Sequence, residues 1–233
     1  MAGKDAPALQ TAVVPHGCAA PGEAFPDWAR DFGRAASLEL EIGPGHGGFA
    51  LDYAAAHPEI DLVCVESRRS DCESIRGRAQ RRGLGNLIVL QGDAKLLVPA
   101  AFTAASLSAL HVQFPDPWWK KRHNKRRLVD VDLAARMRIL LGPGGVVDFR
   151  TDVRAYAEAA IATWEEAGFS NPAGPGQPWP EVPEVLSTRE RRYARTGQPV
   201  YRARFVNPGA PPGEPRGGAA GRTGREWTDL RRK

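Results

Sequence analysis

Short apolar runs alternate with longer mixed segments along most of the chain, and that alternation predicts a fold. "SLELEI" (37–42), "DLVCVE" (61–66), "NLIVLQ" (86–91), "LSALHVQF" (107–114) and "VVDF" (146–149) are bounded by turn-forming or charged residues and read as strands. Between the strands, "GGFALDYAAAHP" reads as a helix ended by Pro58, and Asp71 to Arg82 as a charged helix closed by Gly83 and Gly85. Asp130 to Leu141 is a helix stopped by the turn Gly142-Pro143-Gly144-Gly145, and another helix runs from about Val153 to Ala167. This order predicts an α/β fold with a doubly wound, mostly parallel sheet and helices on both faces. Near the end, "EVLS" (184–187) and "VYRARFV" (200–206) read as strands joined by a charged loop with no long helix, so the last strand should run antiparallel.

The pattern fails at both ends. The first 34 residues are broken by Pro15, Pro21 and Pro26 and hold no apolar run of signal-peptide length. From Gly209 onward the chain is rich in glycine, proline and arginine and poor in residues that fill a core. We therefore expect a flexible N-terminal segment (1–34), one domain (35–208) and a disordered basic tail (209–233). No stretch approaches a membrane-spanning length. The cysteines Cys18, Cys64 and Cys72 have no paired or metal-like spacing, so neither a disulfide framework nor a metal site is indicated. Reduced thiols fit a cytoplasmic protein.

A net charge of +5 is compatible with an anionic partner, but its position says more than its size. In "FPDPWWKKRHNKRRL" (114–128), the cations Lys120, Lys121, Arg122, Lys125, Arg126 and Arg127 follow directly on Phe114-Pro115-Asp116-Pro117. A solvated surface explains a basic run. It does not explain Asp116, which Pro117 biases toward an extended conformation in a stiff loop. Trp118 and Trp119 could stack on a base or pack under the sheet edge.

Doubly wound sheets bind ligands at the carboxyl ends of their strands. The first strand leads into "EIGPGHGGF", where Gly43, Gly45 and Gly47 let the backbone pass close beneath a ligand. The same stretch reads as GxGxxG through Gly43, Gly45 and Gly48, a pattern that dinucleotide sites share. Glu41 at the strand end would repel a pyrophosphate and favour a cationic ligand. Glu66, ending the second strand, can accept from both hydroxyls of a ribose, and Asp93, after the third, is placed to meet an adenine amino group. S-adenosylmethionine has the ribose, the adenine, an ammonium and a sulfonium, and no phosphate.

"EIGPGHGGF", "VESRRSD", "GDAKLL", "FPDPWWKKRHNKRRL" and "FRTDVRAYAE", followed by "STRERRYARTGQPVYRARF", resemble the bacterial tRNA (guanine-N7)-methyltransferase family in order and spacing, from Leu38 to Phe205. The resemblance implies a Rossmann-like class I methyltransferase domain that transfers a methyl group from S-adenosylmethionine to N7 of a tRNA guanine, the variable-loop guanine being the expected target. It implies cofactor contacts at Glu41, Glu66, Asp93 and Asp116, with Asp116 also at the reacting centre. Lys120, Asp152, Ser187 and Glu190 would contact the guanosine. Trp119 departs from the family's usual proline. Ser187 keeps the hydroxyl of the family's TxxE, and Thr188 would supply it if the register slipped by one.

Guanine N7 carries a free lone pair, so the reaction needs alignment and charge stabilisation but no general base. The cationic run would hold RNA phosphates, which give affinity and register rather than base choice. A methyltransferase acting on a small metabolite leaves that run unexplained. A non-catalytic RNA-binding relative would keep the run but lose the cofactor acids, all of which are present.

Overall fold

The structure is a computed structural model that describes residues 25–117 and 127–209. Strands β1 (Ser37–Ile42), β2 (Ile60–Glu66), β3 (Leu87–Gln91), β4 (Leu107–Gln113), β5 (Leu141–Thr151) and β6 (Tyr201–Val206) form one sheet in the order β3-β2-β1-β4-β5-β6. The first five are parallel, and β6 pairs antiparallel with β5, as the sequence predicts. The helices are α1 (Trp28–Phe32), α2 (Gly48–Ala56), α3 (Arg69–Arg81), α4 (Ala94–Ala101), α5 (Val131–Leu140), α6 (Arg154–Glu166) and α7 (Thr188–Thr196).

Side chains alternate across a strand, so each strand serves two different layers. On one face, Leu40, Ile42, Leu110, Val112, Val147, Phe149 and Phe205 meet α4, α5 and α6 in the larger core, around the fully buried Trp164 and Met137. On the other, Leu62, Cys64, Leu87 and Val89 pack beneath Leu51 of α2 and Ile75 of α3. Cys64 and Cys72 are buried free thiols.

The same second face changes character over β1, β4 and β5, where Glu39, His111, Asp148 and Arg150 form a charged layer. His111 Nε2 lies 2.8 Å from Glu39 Oε2, and its Nδ1 lies 3.7 Å from Asp148 Oδ2. The rings of Phe49 and Tyr53 on α2 cover it at 5.2 and 4.8 Å. Burial opposes a charge on His111, but Asp148 and Glu39 outweigh it and raise the imidazole to about 9. The layer is therefore ionised at neutral pH and internally paired, as buried charges require.

Three helices depart from the sequence reading. Residues 184–187 form no strand, and the expected charged loop contains α7. Ser187 Oγ accepts from Glu190 N, while the Glu190 carboxylate accepts from Ser187 N, a reciprocal cap that starts a helix carrying few apolar residues. Helix α4 forms despite Pro99, with Asp93 as its N-cap. Helix α1 lies within the segment expected to be flexible; Trp28 stacks on Phe102 at 5.4 Å and donates from Nε1 to Ala101 O, so residues before position 35 pack on the domain. Among the described residues, no helix is long and apolar enough to cross a membrane.

Candidate active site

The strand order reverses direction between β1 and β4, and in such sheets the crevice at that point receives the ligand. The loop after β1 turns through positive φ at Gly43 (72°), Gly45 (54°) and Gly47 (72°). A Cβ at Gly43 or Gly45 would meet open space, so these positions leave room above the backbone. A Cβ at Gly48 would lie 2.2 Å from Thr188 Oγ1, so the last glycine of the pattern lets α2 approach the start of α7.

Glu66 fastens this loop from the neighbouring strand. Its Oε2 accepts from Gly45 N at 3.0 Å, and its Oε1 accepts from Arg68 N at 2.9 Å and from Ser67 Oγ at 3.2 Å. A carboxylate has about four acceptor positions, so capacity remains for a ribose hydroxyl. Asp93 is exposed, and its Oδ1 accepts from Lys95 N at 2.9 Å; it caps α4 and faces the same end of the sheet.

Glu41 is the most perturbed acid of the group, with 1% of its surface exposed. The Cys64 thiol donates to its Oε2 at 3.6 Å, while Oε1 has no partner. Burial pushes the carboxyl up to about 7 against the opposing pull of His111, the thiol and Arg150. An orphaned acceptor on a buried carboxyl suits a cationic ligand, which would both pair the oxygen and favour the charged form. The ammonium and sulfonium of S-adenosylmethionine fit this environment.

The loop after β4 begins with Phe114 at φ 50°, its N–H donating to Arg150 O at 2.8 Å. The Phe114 ring lies under the Arg189 guanidinium at 5.3 Å and meets the edge of Tyr193 at 6.1 Å. This bend leaves Asp116 exposed. Lys120 lies outside the described residues, as do Trp118, Trp119 and the cationic run through Arg126. Arg127, at the end of that run, is turned inward: it donates to Pro117 O at 3.0 Å and sits 5.1 Å over the Tyr156 ring.

The two remaining substrate candidates are joined through α7. Asp152, just after β5, accepts from the Tyr193 hydroxyl at 2.6 Å. Glu190 is buried, paired with Arg150 at 2.7 Å and Arg202 at 3.2 Å, and Ser187 Oγ is held in the helix cap. Thr188 offers the exposed hydroxyl at this point, beside Gly48 and within 3.3 Å of an Arg191 nitrogen. Sequence reasoning missed Arg150 and Tyr193 as organisers of the site. The Ser-x-x-Glu spacing of the cap was the signal that could have revealed α7 and, through it, both residues.

The doubly wound sheet is that of a methyltransferase: a family model described as "Putative methyltransferase" matches residues 35–203. A tRNA (guanine-N(7)-)-methyltransferase of Anaeromyxobacter dehalogenans is 55% identical over 184 residues, covering 78% of this chain and 92% of that protein. Its namesake from Myxococcus xanthus is 47% identical over 187 residues, covering 80% and 91%. The chain belongs to the tRNA (guanine-N7)-methyltransferase family. Among solved structures, the 16S rRNA methyltransferase KamB shares the fold, with a TM-score of 0.59 at 18% identity over 79% of this chain and 94% of that one.

Proposed function

We propose that this protein transfers the methyl group of S-adenosylmethionine to N7 of the variable-loop guanine of tRNA, and that it acts in the cytoplasm. The observation that carries the reading is the unpartnered carboxylate oxygen of Glu41 at the root of a glycine loop that Glu66 fastens from the neighbouring strand. The cofactor supplies an electrophilic methyl on sulfur. Glu41 compensates its positive charge, Glu66 accepts from a ribose hydroxyl with the acceptor position its loop contacts leave open, and Asp93 accepts from the adenine amino group. Gly43, Gly45 and Gly47 let the loop backbone approach it.

Asp116 stands at the reacting centre, where positive charge passes to the purine and a fixed carboxylate favours it. No side chain has to remove a proton. The remaining task is alignment of two bound partners, which can supply about 7–11 kcal/mol in well-oriented reactions. Lys120 and Asp152 contact the guanosine, and Asp152 is held for that role by Tyr193. Ser187 and Glu190 set the start of α7 at the substrate, with Thr188 presenting the accessible hydroxyl. The cations from Lys121 to Arg126 hold the RNA backbone.

The test is to incubate the protein with S-adenosylmethionine and unmodified tRNA and map the methylated nucleotide. A single N7-methylguanine in the variable loop is expected. Methylation of a small metabolite with no transfer to tRNA would overturn the reading.

A further inference from the structure

Gln113 is the last residue of β4, has only 9% of its surface exposed, and leaves both its Oε1 and its Nε2 without a hydrogen-bond partner. Buried amides are almost always paired, so a pair of orphaned ends needs an explanation. The register supplies one. Gln113 pairs with Arg150 of β5 and lies two positions beyond His111, which pairs with Glu41 of β1. Gln113 and Glu41 therefore face the same side of the sheet, across the crevice where the strand order reverses.

Glu41 Oε1 is orphaned too. Two other unpartnered buried side-chain atoms occur among the described residues. His111 Nδ1 faces Asp148 at 3.7 Å, and Trp164 belongs to the core on the opposite face. The orphans at the crevice thus comprise one carboxylate oxygen, one amide oxygen and one amide nitrogen: two acceptors beside one donor. A group carrying a cation next to an anion complements that set, and an α-amino acid is such a group.

Resting on the S-adenosylmethionine reading above, we propose that Gln113 and Glu41 together hold the α-amino-acid end of the cofactor. Gln113 Nε2 donates to the carboxylate, while Gln113 Oε1 and Glu41 Oε1 accept from the ammonium. Both side chains are buried at the ends of adjacent strands, whereas Asp116, which the proposed function puts at the reacting centre, is exposed. The amide is neutral, so it pairs with the carboxylate without adding a charge to a site that already contains a buried acid.

The experiment is titration calorimetry of the full chain at pH 8 with two ligands. S-adenosylhomocysteine carries the amino-acid end; 5′-methylthioadenosine keeps the adenosine and sulfur but lacks it. Gln113→Leu, nearly the same size, should weaken S-adenosylhomocysteine about tenfold and leave methylthioadenosine unchanged, a tenfold change being about 1.4 kcal/mol. Gln113→Glu keeps the shape and turns the donor into a like charge, so it should weaken S-adenosylhomocysteine at least as much. Equal losses for both ligands, or no loss for S-adenosylhomocysteine, would overturn the inference. So would intact cofactor binding with a raised KM for tRNA, because the amide would then read the base. Wild-type protein that bound neither ligand would overturn the cofactor reading itself, and this inference with it.

Discussion

Arg150 and Glu190 meet at 2.7 Å with 2% and 1% of their side chains exposed, and this pair clamps α7 onto the sheet. Arg202 reaches the other oxygen of Glu190 at 3.2 Å. The carboxylate that the family resemblance assigns to the guanosine is thus also the anchor of the helix beside it. Removing one partner of a buried pair costs about 3–5 kcal/mol when the other charge is left uncompensated; Arg150 keeps Asp148 at 2.6 Å, so the cost here falls below that range. Glu190→Ala should therefore lower the thermal midpoint by several degrees and reduce tRNA methylation together. A variant that melts like wild type and loses only methylation would assign Glu190 to the substrate alone.

Cofactor affinity should depend on pH through Glu41. Its carboxyl lies near 7, raised above 4.5 by burial and drawn back by His111 on β4, Cys64 on β2 and Arg150 on β5, while Glu66 adds to the rise. The sign follows from which form binds: a cationic ligand prefers the carboxylate, so affinity is full above pH 7 and falls about tenfold per pH unit below it. For the ligand-free protein, the raised value means that Glu41 contributes stability below pH 4.5 and that this contribution is lost as pH rises through about 7. Titration of S-adenosylmethionine between pH 5.5 and 8.5 reads the first effect, and Glu41→Gln should remove the step. An equally steep step in that variant would place the titration elsewhere.

Asp116→Asn keeps the shape of the exposed loop residue and removes its charge. If the carboxylate favours the positive charge arriving on the purine, kcat should fall more than tRNA affinity does. Equal losses in both would make Asp116 a binding residue. Single-turnover rates beside equilibrium tRNA binding separate the two outcomes.

The strands were legible because apolar runs of strand length have few other uses, and the acids at the strand ends were legible because a doubly wound sheet gathers those ends on one edge. Helix α7 was not: "TRERRYART" offers Tyr193 as its one large apolar side chain, and the helix depends instead on the Ser187–Glu190 cap and the Gly197 turn. Pro99 hid α4 in the same way. The charged layer of Glu39, His111, Asp148 and Arg150, buried except at Asp148, left no readable mark either. A polar residue within an apolar strand can face solvent or interior, and only the covering rings of Phe49 and Tyr53 decide between them.

Holding the RNA and choosing the base fall to different residues. Replacing Lys121, Arg122 and Arg126 with alanine should weaken tRNA binding and flatten its dependence on salt, by roughly 0.7–0.9 units of log–log slope for each phosphate no longer neutralised. The methylated position should stay the same. An unchanged slope would move the RNA path to α7, where Arg189 and Arg192 are exposed beside Phe114 and Tyr193.

In the proposed reaction a guanine N7 lone pair attacks the methyl group with no proton removed. The most direct measurement compares methyl transfer from labelled S-adenosylmethionine into two variable-loop transcripts of one tRNA, one with guanine and one with 7-deazaguanine at the target position. Attack by N7 predicts stoichiometric labelling of the first and none of the second, with both transcripts binding equally. Labelling of the 7-deazaguanine transcript would contradict it.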